Sequence, residues 1–575
     1  MSKKQQVFLE LNLNPPAKQG KQNSPWPKPS LDLFRVIERA GNDKKINGIV
    51  FNISSYNADR AALWELRNAL EKFKAKGKKL YAFISKADLD LYCFATAADK
   101  IIMDKVGILN LLGYVWGRGF AKKTLKKLGI GVRELRYFKY KSAAETFVRD
   151  SLSAADRKQY GEILDDVIEL TREAVIKARS WTEEEFNSIL NNEFLFSAKS
   201  ALERGLVDYC GRKEAVIEAI TAEQKTAEPK AVEPEPAKPK ADKEKAVNFV
   251  IYGDSASSFS GSKRPYKPAR PRKFFSLRPQ IAVIYASGVC DLKQGIKAWS
   301  LANTIKEAAE NKRTKAIVLR ISSPGGSAEA SEYVNDAIKK AKERVPVVVS
   351  MGAVAASGGY WVSMGASHIC ASALTLTGSI GVISMWFYDD GLTGKLGLKN
   401  DFLQRGDHAD LMAGTLLPRR DMNRKEEARN KEYIIDLYDD FVGRVAANRN
   451  MDINTAESFA QGRVFSGRAA LNAGLIDSIG GLDDAINIAR SLAKIPEKKK
   501  TVYRELPKLD FFEKLKMRFA AAESGITKIA ALFLPEGSLA LGVRQFEPEP
   551  LLEELHHRIA NNGQAMPILP LDSGC

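Results

Sequence analysis

The stretch from Asn47 to Ser85, NGIVFNISSYNADRAALWELRNALEKFKAKGKKLYAFIS, lines up without a gap against KAIVLRISSPGGSAEASEYVNDAIKKAKERVPVVVSMGA from Lys315, an offset of 268 residues. The same offset holds where LYCFATAADKIIMD from Leu91 faces GYWVSMGASHICAS from Gly359. It becomes 269 where FSAKSALERGLVD from Phe196 faces FSGRAALNAGLID from Phe465. The chain is therefore a tandem duplication, and whatever one copy folds into the other must approximate.

Each copy reads as an apolar strand, a turn, an amphipathic helix of about four turns, a second apolar strand and a helix of small residues. That alternation implies βαβ units with right-handed crossovers and a largely parallel sheet. Long helices follow in both copies, one opening at SAADRKQYGEIL with Ser153 as the expected N-cap, the other running from Asp421 through EEARNKEYIIDLYDDF. Val345 to Tyr388 contains no Lys, Arg, Asp or Glu. Its punctuation by Gly and Ser, and a Pro after its first residue, fit buried strands and helix starts better than a membrane span.

With 575 residues, 45% of them hydrophobic, the chain has material for several cores. The expected division is a first copy over 1–220, a linker over 221–278, a second copy over 279–500 and an extension over 501–575. Residues 221–245, rich in Pro, Ala, Lys and Glu, read as a disordered spacer. Residues 261–275, GSKRPYKPARPRKFF, are the densest basic stretch and read as a solvated tail before the strand QIAVIYASG. The segment DFFEKLKMRFAAAESGITKIAALFL is amphipathic and is expected to pack on its own domain.

The formal charge of +18 suits an anionic partner without choosing one. Five cysteines, Cys93, Cys210, Cys290, Cys370 and Cys575, lack metal-ligand or paired spacing, so neither a zinc site nor a disulfide framework is expected. The N-terminal MSKKQQVFLELNLNPP carries no apolar core of signal-peptide length.

The copies part where chemistry would sit. ISSPGG at Ile321 to Gly326 replaces ISSYNA at Ile53 to Ala58, and ASGGY at Ala356 to Tyr360 replaces DLDLY at Asp88 to Tyr92. A Pro-Gly-Gly turn after a parallel strand points backbone N–H groups into the crevice at the sheet's carboxyl edge, which offers Gly326 as an oxyanion donor. A serine at a helix start before two glycines presents its hydroxyl beside the helix's free N–H groups, with Gly358 as the second donor. Ser357 is thus a candidate nucleophile, against the plainer reading of a small packing residue.

A serine hydroxyl needs a base. The histidines are poorly placed: His368 lies in the uncharged run, His408 in a polar loop, and His556 and His557 in a charged C-terminal segment. A lysine made neutral by burial is the other solution, and composition alone does not choose one.

SPGGS at Ser323, ASGGYW at Ala356, TLTGSIGV at Thr375 and YKSAAETFVRDSLS at Tyr140 together resemble the signal peptide peptidase A (protease IV) family, long duplicated type, a relative of ClpP and the crotonases. The resemblance covers most of the chain. It implies an α/β fold built as a tandem ClpP/crotonase-like domain with helical extensions. It implies Ser357 as nucleophile, Lys141 as general base and Ser379 as the group orienting that lysine, with no metal or other cofactor. Lys139, two residues from Lys141, would share its direction on a strand and is the rival base. The resemblance further implies extended apolar peptides, notably cleaved signal peptides, as substrates, ATP-independent hydrolysis and a homotetramer. It also implies the periplasmic side of the bacterial cytoplasmic membrane; the lack of a visible anchor leaves a soluble form open. No nucleic acid is expected. The alternatives are a crotonase-like acyl-CoA enzyme, which would use the same oxyanion turn, and a noncatalytic basic scaffold.

Overall fold

The apolar runs that repeat along the sequence become the central strands of two separate sheets. The computed structural model describes residues 6–13, 30–54, 56, 58–227, 247–253, 258–266 and 278–507. In chain order the first strands are β1 (Gln6–Asn12), β2 (Gly48–Asn52), β3 (Lys79–Asp88), β4 (Lys100–Asn110), β5 (Ile130–Leu135), β6 (Leu195–Ser197), β7 (Tyr209–Cys210) and β8 (Val247–Tyr252). The second half contributes β9 (Gln280–Ser287), β10 (Thr314–Ser323), β11 (Val347–Ala356), β12 (His368–Ala371), β13 (Leu376–Gly378), β14 (Ser384–Asp389), β15 (Val464–Ser466), β16 (Ser478–Ile479) and β17 (Val502–Leu506).

Two compact units result, the first built around residues 6–114 and 167–266, the second around 115–166 and 278–507. Residues 115–166 lie in the first copy by sequence but pack in the second unit.

In the first unit the strand order is β6-β4-β3-β2-β1-β8, with β7 also on β4. All pairs are parallel except β4 with β6. The helix Arg60–Lys74 makes the crossover from β2 to β3, started by Asp59, whose carboxylate accepts the Ala62 N–H.

The second unit repeats this plan as β15-β13-β11-β10-β9-β17, with β12 joining β11 to β16. Its crossover helix, Ala328–Lys342, starts at Ser327, which accepts the Ala330 N–H. Ile317, Val318 and Leu319 on β10 are all buried, as are Val347, Val348 and Val349 on β11. A parallel sheet covered on both faces demands such unbroken apolar runs. The uncharged stretch 345–388 is thus consumed by β11, a short helix, β12, β13 and β14.

Two expectations need correction. The segment 221–278 reads as a linker between the copies, yet the helix Lys213–Ala227 extends into it and Val247–Tyr252 forms β8 of the first sheet. The reason is VNFVIY, which alternates buried and half-buried residues and pairs in parallel with β1, as β17 pairs with β9. The second long helix is Arg424–Arg449, capped by Asn423 rather than started at Asp421. Asp421 instead binds the Arg133 guanidinium of β5 at 2.6 Å. The expected cap at Ser153 is present, its hydroxyl accepting the Asp156 N–H at 3.1 Å below the helix Ala154–Arg179. Most of the proline-rich spacer, residues 267–275 of the basic run, the amphipathic C-terminal segment and Cys575 lie outside the described residues.

Candidate active site

β10 ends at Ser323 and the chain turns through Pro324, Gly325 and Gly326. A Cβ on Gly326, whose φ is +150°, would fall 2.3 Å from the Cys290 carbonyl oxygen. The Cys290 N–H donates to the Gly325 carbonyl, and the Ser327 N–H donates to the Cys290 carbonyl, each at 2.7 Å. The turn is clamped at both ends.

β11 runs directly into Ser357, the N-cap of the helix Gly358–Met364. Ser357 has φ 57° and ψ −116°, an uncommon conformation for a residue with a Cβ, and is fully buried. Its N–H donates to the Gly378 carbonyl at 2.7 Å. The glycines after it are required by space: a Cβ on Gly358 would lie 2.6 Å from Ser331 Oγ and 3.1 Å from the Gly326 nitrogen. A Cβ on Gly359 would lie 2.6 Å from the Ser323 carbonyl oxygen. Close approach therefore brings the backbone nitrogens of the two turns together beside Ser357, and among the described residues no protein acceptor takes the N–H of Gly326 or Gly358.

Lys141 enters from β5 by way of the turn at residues 138–140, and its side chain is 1% exposed. Its Nζ lies 2.6 Å from Ser357 Oγ, 2.8 Å from the Ser379 carbonyl oxygen and 3.0 Å from Ser379 Oγ. Ser379 sits at φ 51° after β13, and its N–H donates to the Arg463 carbonyl at 2.7 Å. Lys141, Ser357, Ser379, Gly326 and Gly358 thus meet within the second unit, although Lys141 belongs to the first copy by sequence.

Residues that sequence reasoning missed form the cradle of the lysine. Gly462, at φ +78°, packs backbone to backbone on Lys141, since a Cβ there would lie 2.6 Å from Lys141 Cβ and 2.7 Å from its Cα and N. Gly381 closes the same space, 2.9 Å from the Gly462 Cα by the same measure. Gln461 accepts the Tyr140 N–H at 2.8 Å through its carbonyl. One sequence signal existed: at the 269 offset, Gly462 stands where the first copy has Glu193.

Beneath the lysine lies a buried ion pair, Arg118 Nη2 to Asp156 Oδ2 at 2.7 Å, with side chains 5% and 0% exposed. Burial pushes the Asp156 carboxyl up, against the opposing pull of Arg118, Ser142 and Gln159.

Other candidates stand elsewhere. Lys139 is exposed, because the chain turns at residues 138–140 instead of continuing as a strand, so the two lysines diverge. His368 on β12 meets Ser478 Oγ at 2.8 Å, and burial lowers its pKa. His408 meets Glu426 Oε1 at 2.7 Å. His556 and His557 lie outside the described residues. In the first unit, Leu89 and Asp90 occupy the positions of Ser357 and Gly358 in the repeat, and Asp90 pairs with Arg60 Nε at 3.0 Å. That copy carries an ion pair where the second has its serine turn.

Comparison with known proteins follows the internal repeat. The sequence profile of Peptidase family S49 matches residues 72–227 and 339–496, one stretch in each copy, and that of Clp protease matches 289–377. The chain is 30% identical to "Serine protease SPPA, chloroplastic" of Arabidopsis thaliana, over 82% of its own length and 67% of that protein. It is 28% identical to "Protease 4" of Salmonella typhi, over 83% of its length and 74% of that protein. It is 34% identical to "Putative signal peptide peptidase SppA" of Enterococcus faecium, over 34% of its length and 55% of that protein. With two profile matches that follow its internal repeat and relatives of this kind along most of its length, the chain belongs to peptidase family S49 and is a serine peptidase with a tandem ClpP/crotonase-like fold.

Proposed function

We propose that the enzyme hydrolyses extended apolar peptides with a Ser357–Lys141 dyad. The observation that carries the reading is the 2.6 Å contact between Lys141 Nζ and Ser357 Oγ, both buried. Removing an amine from water favours its neutral form, the form that accepts a proton. Lys141 Nζ takes the hydroxyl proton as Ser357 Oγ bonds to the scissile carbonyl carbon. The Gly326 and Gly358 N–H groups receive the developing oxyanion, a contribution of about 10²–10³ per donor in comparable sites. Collapse of the tetrahedral species breaks the C–N bond, and the lysine ammonium returns the proton to the leaving amine. Water then attacks the acyl-Ser357 ester with Lys141 again as base; the C–Oγ bond breaks, the ammonium returns its proton to Ser357 Oγ and the acid product leaves, so the cycle balances with peptide and water alone and consumes no nucleotide. Ser379 orients the amine through its hydroxyl and carbonyl.

The same reading has the enzyme acting as a homotetramer on cleaved signal peptides and similar unfolded chains, at the periplasmic face of a bacterial cytoplasmic membrane. Bacterial relatives named "Protease 4" and "Putative signal peptide peptidase SppA" support the peptide-cleaving part of this reading. Among the described residues no helix is long and apolar enough to cross a membrane.

The test is turnover of a fluorogenic apolar peptide by the wild type, Ser357→Ala and Lys141→Ala, without ATP. Both variants are expected to lose turnover by at least about 10³. Wild-type turnover in either removes that residue from its role, and turnover of an acyl-CoA instead of the peptide overturns the reading.

A further inference from the structure

Lys141 reaches Ser357 from a segment that belongs to no strand or long helix, so something else must fix its backbone. One side chain reaches both flanking residues. Gln159 Nε2 donates to the Tyr140 carbonyl at 3.1 Å and to Ser142 Oγ at 3.2 Å. It also donates to Asp156 Oδ1 at 2.9 Å. Its Oε1 accepts the Val464 N–H at 3.1 Å. The amide orientation is dictated by its partners, because a backbone carbonyl and a carboxylate require a donor while the Val464 N–H requires an acceptor.

The two sides joined by this amide are the two halves of the lysine's environment. On one side Tyr140 and Ser142 bracket Lys141. On the other, Val464 continues from Gly462, which lies against the Lys141 backbone, and from Arg463, whose carbonyl holds the Ser379 N–H. The buried pair below completes the clamp: Arg118 Nη1 donates to the Ser142 carbonyl at 2.9 Å, and Ser142 Oγ donates to Asp156. A buried ion pair is weak evidence for stability, since desolvation offsets its attraction, and fixing one backbone arrangement is a role that would keep it there.

We propose that Gln159, seated on the Arg118–Asp156 pair, is a positioning residue that sets the reach of Lys141 toward Ser357. The proposal rests on the dyad reading.

The test is a double-mutant cycle read by steady-state turnover of the fluorogenic apolar peptide, with thermal unfolding of each variant alongside. Gln159→Leu is expected to lower kcat about 100-fold, the effect of misplacing a reacting group by about 1 Å, with KM little changed. In the Lys141→Ala background the same substitution is expected to cost nothing further, because there is no amine left to position. Ser142→Ala, a smaller change that removes one partner of the amide, is expected to lower kcat about tenfold and repeats the cycle should Gln159→Leu not fold. Wild-type kcat in folded Gln159→Leu, or an equal loss in both backgrounds, overturns the positioning role while leaving the dyad intact. Wild-type turnover in Lys141→Ala alone overturns the dyad, and the positioning role with it.

Discussion

Replacing Gly462 by alanine tests whether the site depends on the backbone packing that seats Lys141. The new Cβ would lie 2.6 Å from Lys141 Cβ and 2.7 Å from its Cα and N. Carbon atoms rest about 3.5–4.0 Å apart, so the two segments must separate by roughly 1 Å, and the neighbour is backbone, which cannot swing aside. Lys141 Nζ starts 2.6 Å from Ser357 Oγ, and a shift of about 1 Å takes it beyond hydrogen-bond range. A displacement of this size costs about 100-fold in rate. The positive φ of +78° adds about 1–2 kcal/mol of strain for a residue with a Cβ. For a unit of this size that lowers Tm by about 2–4 °C. The assay is kcat and KM on an apolar fluorogenic peptide together with thermal unfolding. The control is Gly443→Ala, on the helix Arg424–Arg449, where a Cβ meets nothing within 4 Å, and unchanged kcat is expected. A folded Gly462→Ala enzyme with wild-type kcat would refute the argument that this contact sets the lysine.

Further predictions follow from the same geometry. Ser379→Ala removes the hydroxyl at 3.0 Å from Lys141 Nζ but keeps the carbonyl at 2.8 Å, so kcat should fall about tenfold, less than in Lys141→Ala. Gly358→Ala should lower kcat by at least about 100-fold through its 2.6 Å approach to Ser331 Oγ, and Ser331→Gly in the same chain should restore part of it. Hydrogen bonding from Arg420 holds the Glu426 carboxyl down to about 2, below its value in an unfolded chain. That contribution to stability is full above the unfolded value of about 4.3 and is lost as pH falls toward 2, so Glu426→Gln should flatten the acid limb of a Tm-against-pH curve. An unchanged acid limb would refute it.

The duplication, the parallel sheets and the serine turn were legible because they rest on local rules. Apolar runs at matched offsets mark the central strands, and SPGG with SGG marks the places where backbone must approach backbone. Lys141 was not legible on those terms. Nothing in KYKSA separates a buried lysine from an exposed one, and only the family motif chose it over Lys139. The structural difference is that β5 ends at Leu135 and the chain turns at residues 138–140, so the two lysines do not share a strand face. Gln461 and Gly462 escaped because their partner segment, around Lys141, lies more than 300 residues away in sequence. Gln159 escaped because it reads as part of an ordinary helix face, and its link across the site, to Val464, spans 305 residues. β8 escaped because the charged proline-rich composition before it masked six alternating residues.

The most direct test of the dyad is covalent trapping with an alkyl fluorophosphonate, followed by intact mass measurement and peptide mapping, on the wild type and Lys141→Ala. One adduct per chain is predicted on the peptide containing Ser357, forming at least about 10³ times more slowly in Lys141→Ala because no base takes the hydroxyl proton. An adduct on another residue, or equal labelling rates in the two proteins, would contradict the account.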